Sequence, residues 1–106
     1  MQASLEGVHI DTSLREYAVA LVTATRESSQ LEVGSSPRGS HALLKVARAR
    51  AVILDRDFVT PDDVRAIAVP VLAHRVVLRA EVWARHASPD EVVRGIVDSV
   101  AAPSWR

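Results

Sequence analysis

Three segments of the chain open with Ser or Thr followed by Pro, and one of them breaks the chemical pattern of the other two. Thr60-Pro61-Asp62-Asp63 and Ser88-Pro89-Asp90-Glu91 put acids in the first turn of a helix, where the dipole and the unpaired amides favour negative charge by about 0.3–1 kcal/mol each. Ser36-Pro37-Arg38-Gly39 does the opposite. A guanidinium at the electropositive end of a helix is unfavourable until an anion arrives, and then helix and side chain attract it together. Arg38 offers a planar fork that suits phosphate oxygens, and Gly39 beside it permits close backbone approach, so phosphate is the natural ligand. The competing reading leaves Arg38 in solvent or paired with a distant Asp or Glu.

Other groupings have structural explanations. Asp62-Asp63 and Asp90-Glu91 resemble acid/base pairs but are accounted for as helix-start acids. Ser36 is accounted for as a helix cap, with Pro37 in the first turn, and no Ser, His and Asp group suggests a triad. His9 and Asp11 are too few for a metal site, and the other histidines are not at ligand spacing. Arg48 and Arg50 read as a solvated mid-helix face. His74-Arg75 reads as a helix-end His near the last carbonyls, with Arg75 paired to an acid. Absence of cysteine excludes a disulfide scaffold, a thiol nucleophile and a thiolate zinc site.

The elements that would position these groups follow from caps and periodicity. Ser13-Leu14-Arg15-Glu16 has the capping-box form, and Leu14, Tyr17, Ala18, Leu21, Val22 and Thr25 then recur on one helical face. Ser36-Pro37 opens the longest helix, whose buried side is Leu43, Leu44, Ala47, Ala51 and Leu54. Thr60-Pro61 opens a third helix interrupted at Pro70, with a short turn at 71–74, and Ser88-Pro89 opens a last helix through Val100 despite Gly95. Phe58-Val59 and Val76-Val77-Leu78 would pair as a two-stranded ribbon. The expected fold is all-α, a small four- to five-helix bundle with that minor β pairing. Residues 8–101 form its body, and 1–7 and 102–106 are flanking tails. Trp83 and Trp105 sit in weakly patterned segments and mark either contacts with another domain or a satellite core.

Composition agrees with one domain: 106 residues, 48% of them hydrophobic, are enough for a core and too few for two units. Thirteen basic and 13 acidic residues cancel, which removes the footprint of a general nucleic-acid binder. A DNA-binding reading would rest on Arg65, Arg75, Arg79 and Arg85 as phosphate contacts. The opening MQASLEGVHID has no signal-peptide pattern, and no apolar run approaches the ~20 residues of a membrane span, so a soluble cytoplasmic domain is expected.

Four stretches, in order, carry a family resemblance: Tyr17-Ala-Val-Ala-Leu-Val-Thr-Ala-Thr-Arg26, Leu31-Glu-Val-Gly-Ser-Ser-Pro-Arg38-Gly-Ser, Asp57-Phe-Val-Thr-Pro-Asp-Asp-Val64 and Val71-Leu-Ala-His-Arg75. Together they resemble the C-terminal lid domain of MoxR-type AAA+ ATPases over roughly residues 8–100. In that family the G-x-S-P-R segment carries the sensor-2 arginine, which projects toward the γ-phosphate of ATP held in a preceding α/β domain. Matched position by position, that role falls on Arg38, with Gly34, Ser36 and Pro37 shaping the turn that presents it. Two positions depart from the family. Ala or another small residue commonly stands where this chain has Gly39, and Gly-Arg-Asp commonly stands where it has Asp55-Arg56-Asp57. The first is expected to loosen the helix start and the second to alter only a surface turn.

The resemblance implies a nucleotide-state lid in a chaperone-like bacterial ring. Its partners would be an N-terminal AAA+ core of the same chain, neighbouring subunits of a hexamer and von Willebrand factor A proteins. The sequence itself holds no G-x-x-x-x-G-K-[ST] loop, since Lys45 lies between Leu44 and Val46, and no strand ending in the acidic pair that would hold Mg²⁺. The chain is therefore expected not to be an enzyme by itself and to meet ATP and Mg²⁺ only within a longer ATPase. A standalone helical protein–protein interaction module that never meets nucleotide is the alternative.

Overall fold

The stripe Leu14, Tyr17, Ala18, Leu21, Val22 and Thr25 lies buried along α1 (Thr12–Glu27) in the computed structural model, which describes residues 7–85 and 87–104. The chain continues through β1 (Leu31–Val33), α2 (Arg38–Ile53), α3 (Pro61–Ala73), β2 (Val77–Leu78), α4 (Ala80–Ala84) and α5 (Pro89–Ser99). Among the described residues this is an all-α bundle of five helices with one two-stranded pairing, within the four- to five-helix architecture expected. α3 packs against both α2 and α5, and α1 lies against α2. Trp105 and positions 1–6 and 106 of the tails lie outside the described residues.

Local chemistry moved several boundaries. Asp11, rather than Ser13, caps α1, because its carboxylate accepts from both the amide and the hydroxyl of Ser13, at 3.0 and 2.6 Å; an ionised acceptor outcompetes a hydroxyl. α3 and α5 carry complete capping boxes, Thr60 with Asp63 and Ser88 with Glu91. Pro70 does not interrupt α3. The cost of a mid-helix proline, about 3 kcal/mol, is offset by Val69 and Leu72 buried on either side of it, each worth roughly 1.5–3 kcal/mol. Leu54, expected in the core, is instead 50% exposed where α2 ends.

The ribbon forms with a different partner. β2 pairs antiparallel with β1, Leu31 opposite Leu78 and Val33 opposite Val77, so that two buried leucines meet across the pair. Phe58 and Val59 instead flank the N-terminal segment: the His9 amide donates to the Asp57 carbonyl at 2.8 Å and the Val59 amide to the His9 carbonyl at 2.9 Å. α4, a five-residue helix, has no sequence signature, and Trp83 upon it is 54% exposed, which excludes a satellite core there.

Asp63 is much more than a dipole acid. It is fully buried, and its carboxylate accepts from the Arg56 guanidinium at 2.6 and 2.7 Å, from the Thr60 amide at 2.8 Å, and from Arg50. Arg50 is therefore not on a solvated face, and the 55–57 segment is not a mere surface turn. Asp55 adopts a left-handed φ of 61°, which swings Arg56 back toward α3 and over the Phe58 ring, 5.6 Å from its centroid. Asp55 stands where the family resemblance has Gly, the residue suited to that backbone. Burial pushes the Asp63 carboxyl up, but the hydrogen bonds from Arg56, the Thr60 amide and Arg50 outweigh it and hold it at about 2.

Two consequences can be measured by urea unfolding. Asp63→Asn should cost about 2–4 kcal/mol, less than a fully buried pair loses, because Arg50 and Arg56 keep partial access to water. In the native chain the folded carboxyl titrates below its unfolded value of ~3.9, so its contribution is fully present above that value and disappears as pH falls through about 2. The pH dependence in that window should vanish in Asp63→Asn. Asp55→Gly should stabilise by roughly 0.5–1 kcal/mol, the left-handed strain relieved less the added entropy of the unfolded chain; a loss of stability would show that the Asp side chain itself holds the turn.

Candidate functional site

Arg38 is the first residue of α2, and the chain reaches it across the end of α1. After β1 the backbone at Gly34 passes so close to α1 that a Cβ there would sit 2.6 Å from the Arg26 Cα and 2.7 Å from the Thr25 carbonyl carbon. The next residue locks the crossing. The Ser35 amide donates to the buried Thr25 hydroxyl at 3.0 Å, and that hydroxyl donates to the Val22 carbonyl at 2.6 Å. Ser35 is fully buried, and its own hydroxyl donates to the Ser36 carbonyl at 2.9 Å.

The expected Ser36 cap does not form. Pro37 occupies the cap position in helical conformation, and α2 starts with no side-chain cap and no acid in its first turn. Hydroxyls here serve carbonyls instead: Ser40 donates to the Pro37 carbonyl at 2.9 Å, while the Gly39 amide finds the Ser36 carbonyl at 2.9 Å. Gly39 is not a point of access to a ligand. It is buried, and a Cβ would lie 2.1 Å from the Ser35 hydroxyl and 3.2 Å from Val22, so the small residue locks the turn rather than loosening it.

Of the candidate site residues, Gly34 is half-buried and Ser36, Pro37 and Arg38 are exposed. The turn brings all four together. Among the described residues no carboxylate lies within ion-pair distance of Arg38, whereas Arg50 and Arg56 meet Asp63, Arg65 meets Asp98 at 2.8 Å and Arg79 meets Glu32 at 3.5 Å. Two of the four arginines available to a DNA-binding reading are thus engaged in ion pairs. Val19, Val22, Thr23, Arg26, Pro37 and Ser40 line a recess of about 120 Å³ beside the turn. That is well under the ~300 Å³ where ligand pockets begin, too small for a nucleotide. Arg26 is an exposed cation that lines this recess and that sequence spacing gave no reason to single out, because only the crossing at Gly34 brings α1's last turn to α2's first.

The remaining candidates serve the fold. The Asp11 carboxylate caps α1, and its Ser13 hydrogen bonds lower its pKa. His9 takes part through its backbone in the pairing with Phe58. His74 ends α3 as expected, but Arg75 meets no carboxylate among the described residues.

Comparison with known proteins agrees with this architecture. The AAA lid domain family profile matches residues 23–96. The chain is 38% identical over 106 residues to the uncharacterized protein YeaC of Bacillus subtilis, covering all of this chain and 33% of that protein. It is 36% identical over 100 residues to the chaperone MoxR1 of Mycobacterium tuberculosis, covering 86% of this chain and 26% of that one. A crystal structure of a "putative ATPase" from Cytophaga hutchinsonii superposes with a TM-score of 0.87 at 32% identity, covering 94% of this chain and 33% of that one. The fold and its turn thus define an AAA lid domain. The chain belongs to that family, and it is a lid of the MoxR type. It spans about a third or less of the relatives it matches. No helix among the described residues is long and apolar enough to cross a membrane.

The crossing at Gly34 can be tested directly. Gly34→Ala forces a shift against α1 backbone rather than a pliable side chain, so it should destabilise by roughly 1–3 kcal/mol in chemical denaturation. Gly95→Ala, with open space around it, should be neutral or stabilising.

Proposed function

We propose that residues 8–101 act as the sensor-2 lid of a MoxR-type AAA+ ATPase, with Arg38 contributing to the γ-phosphate of ATP. The observation that carries this reading is an exposed, permanently charged guanidinium at an uncapped, acid-free helix start, with no carboxylate partner among the described residues. A group placed there gains a charged partner only when an anion reaches it. The donor chemistry fits phosphate, and the small recess beside it means that most of the nucleotide contact, with Mg²⁺, must come from elsewhere in a longer protein. ATP supplies the phosphoryl group, on whose oxygens charge develops during transfer. Arg38 would hold and neutralise one of those oxygens, with Gly34, Ser36 and Pro37 shaping the turn and Thr25–Ser35 preventing it from yielding.

Loss of the γ-phosphate removes the partner of Arg38, and the bundle then swings as a rigid body, coupling nucleotide state to subunit motion. We read this activity as that of a cytoplasmic, chaperone-like ring, by family analogy a hexamer working with von Willebrand factor A proteins, and the similarity to the chaperone MoxR1 supports the chaperone part of it. A standalone interaction module has less support, since the matched relatives carry this sequence as a third or less of their length.

In the full-length ATPase, Arg38→Ala should lower ATP turnover by roughly tenfold to a thousandfold, the range for losing one preorganised charge donor, with the circular dichroism of the chain unchanged. Arg38→Lys should recover only part of the activity, because an ammonium lacks the fork. Unchanged turnover in Arg38→Ala would remove the basis for the assignment.

A further inference from the structure

The outer side of α2 carries two parallel rows of residues that are exposed or half-buried, away from the core. Arg38, His41, Lys45 and Arg48 follow each other at three- and four-residue steps and form one row. Ala42, Val46, Ala49 and Ile53 recur at the four- and three-residue steps of a helix–helix seam and form the second row beside it. The core side of the helix is a different set, Leu43, Leu44, Ala47 and Ala51. Ile53 is 82% exposed and Val46 37%, although each continues an apolar repeat. α2 contains no acid, and no basic residue of the first row meets a carboxylate among the described residues. The Nε of Arg48 is buried with no hydrogen-bond partner.

A cationic row beside an apolar seam selects its occupant. A second copy related by a two-fold would bring cations against cations. A nucleic-acid backbone would pair with the first row and leave Val46 and Ile53 unused. What satisfies both rows is a helix with carboxylates along one flank and an apolar seam beside them. We propose that α2 docks such an acidic amphipathic helix, and that the helix belongs to the nucleotide-holding part of the same polypeptide. The source rests on the proposed function. Arg38 stands in the basic row, so a phosphate held elsewhere in its own chain draws this whole face, about 20 Å long from Arg38 to Ile53, toward that part of the protein. The matched relatives have two-thirds or more of their length outside the lid from which to supply it.

The test uses the full-length ATPase with a photoreactive phenylalanine in place of Val46, assembled from a mixture of isotopically heavy and light chains, irradiated and mapped by mass spectrometry. The expected product joins two peptides of equal isotopic weight, the second carrying Asp or Glu beside Leu, Ile or Val at helical spacing. The paired substitution Lys45→Glu and Arg48→Glu should reduce its yield about fivefold or more, by like-charge repulsion, while thermal melts of the chain show it still folded. Arg38→Ala should lower hydrolysis and leave most of the product, so docking and phosphate contact fail separately. Heavy–light products, a partner peptide without carboxylates, or a yield indifferent to the charge reversal would each overturn the proposal.

Discussion

The carboxylate of Asp63 is the tie on which the geometry of the lid depends. It is the N3 residue of its own helix, and it also receives Arg50 from the last turns of α2 and Arg56 from the reversal between them. One buried acid therefore specifies where α2 ends, how the chain turns and where α3 begins. Two guanidiniums and a backbone amide satisfy it, so the desolvation that would otherwise neutralise a buried carboxyl is more than offset. Because α3 also packs against α5, a fixed α2–α3 joint holds the whole bundle in one orientation relative to the α2 axis.

At the other end of α2 the constraint is steric. Gly34 crosses α1 at backbone contact, Thr25 and Ser35 close the crossing with a buried hydrogen bond, and Gly39 fits where a side chain would strike Ser35. With both ends held, α2 behaves as a stiff rod whose first residue presents its guanidinium to solvent, with no carboxylate partner among the described residues. The other long helices finish their starts internally, α1 with Asp11 and α3 and α5 with capping boxes. That contrast supports the proposal that Arg38 belongs to a surface facing something outside the bundle. On the proposed reading, any force on its guanidinium is transmitted to the entire domain, which suits a lid whose motion must report a phosphate.

Legibility in the sequence followed how local each interaction is. The α1 stripe, the boxes at Thr60 and Ser88 and the buried face of α2 as far as Ala51 were readable because their partners lie three or four residues away. The Arg38 anomaly was readable for the same reason, as a comparison among three openings of one type. Most errors lay where a partner is distant in sequence, and one lay where two caps compete within a single turn. Leu31–Val33 pairs with Val77–Leu78, Pro70 is tolerated because its neighbours are buried, and Asp11 displaces Ser13 by offering a charged acceptor. Arg50 and Arg56 looked like surface charge because nothing in their own segments says that Asp63 will be buried between them.

The amino-acid sequence by itself determined that this chain makes helices of particular lengths and faces, and that one of them begins with a cation where its siblings begin with acids; dipoles, caps and periodicity act over a single turn and need no partner. Only the tertiary structure decided which charges are spent. It consumed Arg50, Arg56, Arg65 and Arg79 in ion pairs and left Arg38 exposed beside a crossing that no local rule describes. Ion pairing depends on distances of a few ångströms between residues far apart along the chain, and packing alone sets those distances.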